Sequence, residues 1–253
     1  RAEAAGVIFV AAAANDGKNN DKVSMYPANA AAISVAASNQ SDAKPSWSNY
    51  GKANVALAAP GEGIMSSLPN DKYGNLSGTS MATPLVAGLV AFLKAQDPNL
   101  TSAEVKALLQ STGAKVNIET ACNCRIDAFA AVDTLLSNKA WMIPTAATIE
   151  VNATQQFTVK NANGAVKFES SNPAVATITE QGLLTGVTQG SVIVKGTDAA
   201  GNVVSSLDIN VGMAASNNPD PGQPGMPMEC PLNDPMLCEA LCQFMPQLPW
   251  CNQ

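Results

Sequence analysis

The most informative absence in this chain is histidine, because none of its 253 residues is one. Histidine is the side chain that most often serves as a general base, so the chain by itself cannot form a Ser–His pair or a histidine-based metal centre. The six cysteines include no Cys-x-x-Cys pair, which favours disulfides in an oxidising compartment over a zinc site. Four of them lie in the last 24 residues.

Aromatic residues, basic clusters and long apolar runs are also scarce. Aromatics make up 5% of the chain against 46% hydrophobic residues overall, which predicts close-packed layers of small aliphatic side chains. The formal charge is −6 and no Lys/Arg cluster occurs, so nucleic acid is excluded as a partner. The longest apolar run, residues 6–14, falls short of the ~18 residues that a membrane helix needs.

Residues 1–138 alternate between predicted strands and helices. Three apolar runs end at turn residues, as buried parallel strands do: residues 6–13, 32–37 and 54–61. Helices are predicted over residues 80–96 and from Thr101 onward, where the sequence suits a helix N-cap. Such alternation indicates an α/β layer architecture.

The composition changes near Trp141, where Thr, Val and Ile become frequent in short alternating runs. Turn pairs such as Asn163-Gly164 separate these runs, a pattern typical of a small β-sandwich. We therefore assign residues 139–212 to a second, all-β domain. Residues 213–229 read as a Pro/Gly-rich linker, and residues 230–253 as a Cys-rich tail that is too small to fold without disulfides.

The candidate chemistry centres on the stretch Gly78-Thr79-Ser80-Met81-Ala82-Thr83-Pro84. A serine at the start of a helix exposes its hydroxyl beside unpaired backbone N–H groups, and the helix dipole favours negative charge there. Gly78 allows a substrate to approach the main chain closely. On these grounds alone, Ser80 is either a helix-capping residue or a nucleophile.

The stretch resembles the nucleophile motif of the subtilase family of serine endopeptidases, except that Leu85 follows where the family usually has histidine. Further stretches match the family in order, namely residues 11–16, 25–28, 46–51, 58–61 and 125–128. The resemblance covers about residues 5–136. It implies the C-terminal part of a subtilisin-like catalytic domain with a parallel sheet.

The resemblance also implies the roles of individual residues. Ser80 is the nucleophile, and the Asn15 amide holds the oxyanion together with the backbone N–H of Ser80. The residue before this asparagine is usually glycine in the family, whereas here it is Ala14. The wall of the pocket for the P1 side chain, which precedes the cleaved bond, is assigned to Ala12, Ala13 and Ala14, with Met25 near its base. These uncharged residues imply an apolar P1 preference.

The activating histidine and aspartate of a subtilase precede the oxyanion asparagine in the chain. We therefore expect both upstream of Arg1 or on a partner chain, with Arg1 lying inside a longer gene or at a processing cut. Lys44, Lys52 and Lys94 are the alternative bases, but no motif supports them. We expect this chain alone to lack the N-terminal part of its catalytic domain and to be inactive.

Residues 142–212 resemble the bacterial immunoglobulin-like group 2 domain, through residues 170–178, 182–187 and 190–194. This implies a bacterial protein that is secreted, periplasmic or on the cell surface. The domain is either a spacer or a module that attaches to a surface or polymer. The alternative function for the whole chain is a non-catalytic surface or adhesion protein built on a degenerate protease scaffold.

The expected partners are protein or peptide substrates, and the chemistry requires no cofactor. Structural calcium is common in subtilases, where oxygen-rich loops bind it. The acidic loop residues here are Asp16, Asp21, Asp42 and Asp71. None matches a ligand set, so we interpret them as solvated surface carboxylates. Cys122 and Cys124, near the end of the first domain, are expected to be structural.

Overall fold

The computed structural model of the chain describes residues 5–31 and 33–212, so the predicted linker and Cys-rich tail lie outside the described residues. In the described part, no helix combines the length and apolar character that a membrane span requires. The strands and α-helices of the first part are, in chain order, β1 (Val10–Ala12), β2 (Ile33–Ser38), β3 (Leu57–Pro60), β4 (Ile64–Leu68), β5 (Lys72–Leu76), α1 (Thr79–Gln96), α2 (Ser102–Thr112), β6 (Ala114–Lys115), β7 (Cys124–Arg125) and α3 (Ala128–Leu136), and a 3-10 turn at Ala28–Ala30 lies between β1 and β2.

Five of these strands form one sheet in the order β1-β2-β3-β7-β6. Strands β1, β2, β3 and β7 run parallel, and β6 pairs antiparallel with β7. Alternate residues of β2 point to opposite faces. Ile33 and Val35 join the core beneath the helices, while Ala36 joins a smaller cluster with Ala13 and Ile118 on the other face. Burial on both faces explains the continuous apolar runs, and the α/β prediction is confirmed.

The element boundaries agree with the sequence pattern where local signals are strong. Helix α1 begins one residue earlier than predicted. Helix α2 follows Thr101, whose hydroxyl accepts from the Glu104 N–H at 3.2 Å while the Glu104 carboxylate accepts from the Thr101 N–H at 2.7 Å. This reciprocal capping box satisfies two helix-end donors. The first apolar run gives only the three-residue β1, because pairing with β2 begins at Val10.

The sequence pattern missed the hairpin of β4 and β5, which pair antiparallel from Ile64 opposite Leu76 to Leu68 opposite Lys72. Most of its residues are exposed, including Tyr73 and Met65, so neither strand shows the apolar run of a buried strand. The hairpin leads directly into Gly78 and the start of α1.

The second part of the described chain is all-β, as predicted. Its strands are β8 (Trp141–Ile143), β9 (Ala147–Ile149), β10 (Thr154–Gln156), β11 (Thr158–Lys160), β12 (Lys167–Ser170), β13 (Ala176–Ile178), β14 (Leu183–Gly186), β15 (Gly190–Val192), β16 (Val194–Thr197), β17 (Val203–Ser205) and β18 (Ile209–Val211). They form small sheets of two or three strands around a core that includes Phe157, Leu184 and Ile209.

The two parts share a packed contact. Trp141 of β8 is 2% exposed and lies in the core of the first part, and β8 packs against α2. The buried Thr145 hydroxyl donates to the carbonyl of Ala107 at 2.9 Å. Lys160 pairs with Glu104 at 2.6 Å. The domain boundary at residue 138 stays a prediction. The chain after this residue supplies side chains, Trp141 among them, to the hydrophobic core of the first part.

One disulfide lies in the described part, between Cys122 and Cys124. Both residues are buried. The residue just before the disulfide is bonded to the body of the domain, because the Ala121 N–H donates to the Val55 carbonyl at 2.8 Å. The structural part predicted for these two cysteines agrees with their burial.

Replacing Trp141 should show how strongly the two parts stabilise each other. Trp141→Ala removes a large buried ring, and we expect it to lower the free energy of unfolding by about 3–5 kcal/mol. Trp141→Phe keeps most of the ring and removes an indole N–H that has no hydrogen-bond partner, so it should cost less than half as much. Urea unfolding of both variants measures the difference.

Phe129→Ala is the control, because Phe129 is 83% exposed and its loss should change the free energy of unfolding by less than about 0.5 kcal/mol. If Trp141→Ala unfolds at the same urea concentration as this control, the shared core does not contribute to stability.

Candidate active site

The start of α1 presents Ser80 at the surface. Ser80 is the second residue of the helix, after the N-cap Gly78 and the fully buried Thr79, and its side chain is exposed. The Met81 N–H donates to the Gly78 carbonyl at 3.0 Å. The N–H of Ser80 is among the first-turn donors that have no intrahelical acceptor. The serine therefore exposes its hydroxyl beside a free backbone donor.

Gly61 permits the close approach that places this helix start. The Gly78 N–H donates to the Gly61 carbonyl at 2.8 Å. A Cβ at Gly61 would lie 2.7 Å from the Ala37 Cβ and 2.9 Å from the Gly78 oxygen, distances that real side chains do not reach. The end of β3 and the start of α1 can meet here only because residue 61 has no side chain.

Asn15 lies beside this helix start, in the loop that follows β1. Its Oδ1 accepts hydrogen bonds from the Thr79 N–H at 2.8 Å and from the Thr79 hydroxyl at 3.0 Å. A backbone N–H can only donate, so the atom of Asn15 that faces Thr79 is the carbonyl oxygen. The amide NH₂ must then point away from Thr79. The two bonds to Thr79 fix which end of the amide is available to a ligand.

The missing side chain of Gly78 leaves a small space between two donors. A Cβ built on Gly78 would lie 3.6 Å from the Asn15 Nδ2 and 3.7 Å from the Ser80 backbone nitrogen, with the Met81 Sδ at 3.6 Å. Both donor nitrogens therefore lie within 3.7 Å of one point at the surface of Gly78. The structure thus brings together the two groups that the resemblance assigned to oxyanion binding.

Ala14, just before Asn15, has a backbone conformation that is unfavourable for alanine. Its φ is 88°, in the region where a Cβ normally adds strain. This accounts in physical terms for the glycine that the family usually has here. The strained residue turns the chain so that Asn15 leaves the end of β1 toward α1.

The predicted P1 wall is only partly at the surface. Ala12 and Ala14 are half-buried, while Ala13 is fully buried and packs in the cluster on the far side of the sheet. Because the Ala13 side chain points to the far face, only its main chain could form part of the P1 pocket wall. Met25 is half-buried, and its N–H donates to the Asn29 Oδ1 at 3.2 Å. The role of these four residues stays a prediction.

Two residues that matter to this geometry were missed by the sequence analysis. Thr79 orients the Asn15 amide, but only the structure shows that Thr79 is buried and faces Asn15. Asn49, in the matched stretch of residues 46–51, bonds to the main chain on both sides of Asn15. No periodicity in the sequence indicates a contact between residues 33 or more positions apart.

Two of the lysines considered as alternative bases are engaged elsewhere. The Lys44 Nζ donates to the carbonyls of Pro45 and Ser48 at 3.1 Å each, and burial lowers the pKa of this lysine. Lys94 lies 14 residues beyond Ser80 on the same helix, a separation of roughly 21 Å at 1.5 Å per residue. Its Nζ donates to the Leu100 carbonyl at 3.0 Å.

Two of the four acidic residues weighed as calcium ligands, Asp21 and Asp42, have structural partners. Asp42 pairs with Arg125 at 2.5 Å, and the hydrogen bond from Arg125 lowers the pKa of Asp42. Asp21 accepts hydrogen bonds from the main-chain N–H groups of Ala53 and Asn54. Among the described residues, no group of three or more His, Cys, Asp or Glu side chains is placed to hold a metal ion. Calcium binding stays an untested prediction.

The parallel α/β sheet, with a helix-start serine and a loop amide at one place, defines a subtilisin-like domain. The family model described as "Subtilase family" matches residues 1–162, and the model described as "Bacterial Ig-like domain (group 2)" matches residues 142–207. The chain belongs to the subtilase family and continues into a bacterial Ig-like domain.

Similar proteins were found among bacterial enzymes. Thermitase of Thermoactinomyces vulgaris is 41% identical over 112 residues, which are 44% of this chain and 38% of thermitase. Alkaline elastase YaB of Bacillus sp. (strain YaB) is 36% identical over 120 residues, 47% of this chain and 31% of the elastase. Cell wall-associated protease of Bacillus subtilis (strain 168) is 40% identical over 115 residues, 45% and 12% of the two chains. The chain thus spans about a third of the length of the first two relatives.

Relieving the strain at Ala14 should stabilise the protein. Ala14→Gly removes the Cβ at a φ of 88°, and we expect the free energy of unfolding to rise by about 0.5–1 kcal/mol, since relief of strain exceeds the added entropy of the unfolded chain. Ala12→Gly is the matched control within β1, where the same change should lower it by about 0.5–1 kcal/mol. Equal losses in both variants would show that Ala14 is not strained.

Proposed function

We propose that the chain carries the nucleophile and the oxyanion-binding donors of a serine endopeptidase. The observation that carries this proposal is the closeness of the Asn15 Nδ2 and the Ser80 backbone nitrogen to the same point beside Gly78, at the helix start where Ser80 is exposed. Relatives that are named as an elastase and as a cell wall-associated protease support the same reaction class.

In this proposal the Ser80 Oγ attacks the carbonyl carbon of a peptide bond while its proton passes to a base. The carbonyl oxygen gains the negative charge and sits between the two donors. The C–N bond then breaks, the amine leaves with a proton, and water later releases the acyl group from Ser80. Loss of one oxyanion donor costs about 10²–10³ in kcat, a magnitude known for the asparagine of subtilisin, to which this chain is related.

The base in this proposal comes from outside these 253 residues. The sequence contains no histidine, and the Nζ atoms of Lys44 and Lys94 donate to main-chain carbonyls. The histidine and aspartate of the triad are then supplied by the rest of the catalytic domain, upstream or on a partner chain. By itself the chain binds an oxyanion but cannot activate its serine.

The proposal extends to the substrate of the enzyme and to its location. Half-buried Ala12, Ala14 and Met25 present no charge, which supports an apolar P1 residue in protein or peptide substrates. The Cys122–Cys124 disulfide supports an oxidising, extracytoplasmic location. The Ig-like domain serves as a spacer or as an attachment module for a surface or polymer. A non-catalytic scaffold protein is the alternative, and it would have no need of two free donors beside an exposed serine.

Filling the space beside Gly78 tests the proposal without disturbing the fold. The methyl group of Gly78→Ala would make only ordinary contacts at 3.6–3.7 Å, and the φ of 162° is extended, so we expect normal folding. The methyl would project toward the two donors and crowd an oxygen that binds both of them. In the complete enzyme, kcat for a peptide substrate should therefore fall by about 10² or more.

Gly88→Ala is the matched control, because it adds the same methyl group to α1 at a position with open space around it. It should leave kcat unchanged and stabilise the helix by about 0.5–1 kcal/mol. A fluorophosphonate probe should label the control and not Ser80→Ala. Labelling that survives Ser80→Ala, or full activity in Gly78→Ala, would contradict the proposal and favour the scaffold alternative.

A further inference from the structure

Two buried asparagines lie behind the candidate oxyanion site. Asn49 is fully buried and Asn20 is 1% exposed. The Asn49 Nδ2 donates to the Asn20 Oδ1 at 2.9 Å, and the Asn20 Nδ2 donates to the Ala13 carbonyl at 3.0 Å. Buried amides are retained only where their hydrogen bonds are made, so this pair has a definite structural task.

Asn49 contacts the main chain on both sides of Asn15. Its backbone N–H donates to the Ala14 carbonyl at 3.0 Å. Its Oδ1 accepts from the N–H of Asp16 at 2.8 Å and from the N–H of Lys18 at 3.0 Å. The residues immediately before and after Asn15 are therefore bonded to the same buried side chain and peptide unit.

These hydrogen bonds fix one orientation for each of the two side-chain amides. The Asn49 oxygen faces two N–H groups, so its NH₂ end must face Asn20. The Asn20 NH₂ faces a carbonyl, so its oxygen is left to accept from Asn49. Neither amide can rotate by 180° without losing these bonds and leaving buried polar atoms unpaired.

The strained Ala14 needs such support. A residue with φ of 88° persists only where its surroundings hold it there, and the bond from the Asn49 N–H to the Ala14 carbonyl is one such restraint. Oxyanion donors act through preorganisation, which requires placement to within about 0.5 Å. If the loop relaxed, the Asn15 oxygen would leave Thr79, and the orientation of its NH₂ would no longer be fixed.

We propose that Asn49 is a positioning residue, which holds the peptide units on either side of Asn15 so that the Asn15 amide meets the developing oxyanion. The inference rests on the proposed function, because it assigns Asn49 to the support of that site. Asn49 does not touch the substrate and acts through Asn15. Asn20 assists by fixing the Asn49 amide.

A double-mutant cycle in the complete enzyme tests the proposal. Asn15→Ala should lower kcat by about 10²–10³. Asn49→Ala should lower kcat by about 10–10² with KM changed less than about threefold, because a transition-state contact is lost rather than substrate binding. In the Asn15→Ala background, adding Asn49→Ala should lower kcat by less than about threefold, since the residue that it positions is already absent.

Two further variants separate positioning from general stability. Asn54→Ala is the matched control, because the Asn54 amide donates to the Asn20 carbonyl at 3.2 Å and makes no bond to residues 13–18. It should leave kcat unchanged. Asn49→Asp keeps the two acceptor bonds to Asp16 and Lys18 but places an oxygen against the Asn20 Oδ1. It should lower the melting temperature and yet retain more of kcat than Asn49→Ala.

The outcomes are distinguishable. If Asn49→Ala lowers kcat by the same factor with and without Asn15, Asn49 does not act through Asn15 and the inference is wrong. If Asn15→Ala leaves kcat unchanged in an enzyme that Ser80→Ala inactivates, the proposed oxyanion role itself fails. Should Asn49→Ala not fold, amide hydrogen exchange at Asp16 and Lys18 is measured in Asn49→Asp, where it should remain as slow as in Asn54→Ala. Fast exchange in Asn49→Asp alone, with kcat retained, would overturn the inference.

Discussion

The paired hydrogen bonds from Thr79 to the Asn15 oxygen are the interaction on which the site depends. They join a loop at the end of β1 to the first turn of α1, across 64 positions of sequence. Because they occupy the oxygen end of the amide, they leave its NH₂ end for a ligand. Three other features of the site allow these two elements to meet. They are the close approach at Gly61, the absence of a side chain at Gly78 and the unusual backbone conformation of Ala14.

Much of this arrangement could be predicted from the sequence, because several signals are local. The apolar runs around Val35 and Ala58 indicated buried parallel strands, and the Thr101–Glu104 pair indicated where α2 begins. Ser80 and Asn15 were identified through a family resemblance rather than through spacing. The structure places the Asn15 Nδ2 and the Ser80 backbone nitrogen close to the same point beside Gly78.

The other features of the site could not be predicted from the sequence, because they depend on tertiary contacts. Asn49 and Asn20 are polar residues in loops, and only the folded chain reveals that they are buried and bonded to Ala13, Ala14 and Asp16. Ala13 comes directly after β1, and its side chain points to the smaller cluster with Ala36, as the alternation of side chains along the strand predicts once β1 is located. The packing of Trp141 in the first core was likewise hidden, since a tryptophan near a composition change resembles the start of a separate domain.

The most direct test of the central claim is a crystal structure of the complete enzyme with a peptide boronate or phosphonate bound covalently to Ser80. The account predicts that one oxygen of the adduct lies 2.7–3.1 Å from both the Asn15 Nδ2 and the Ser80 backbone nitrogen, with Asn15 still bonded to Thr79. An adduct oxygen that points to solvent, or an Asn15 amide turned with its oxygen toward the adduct, would contradict it.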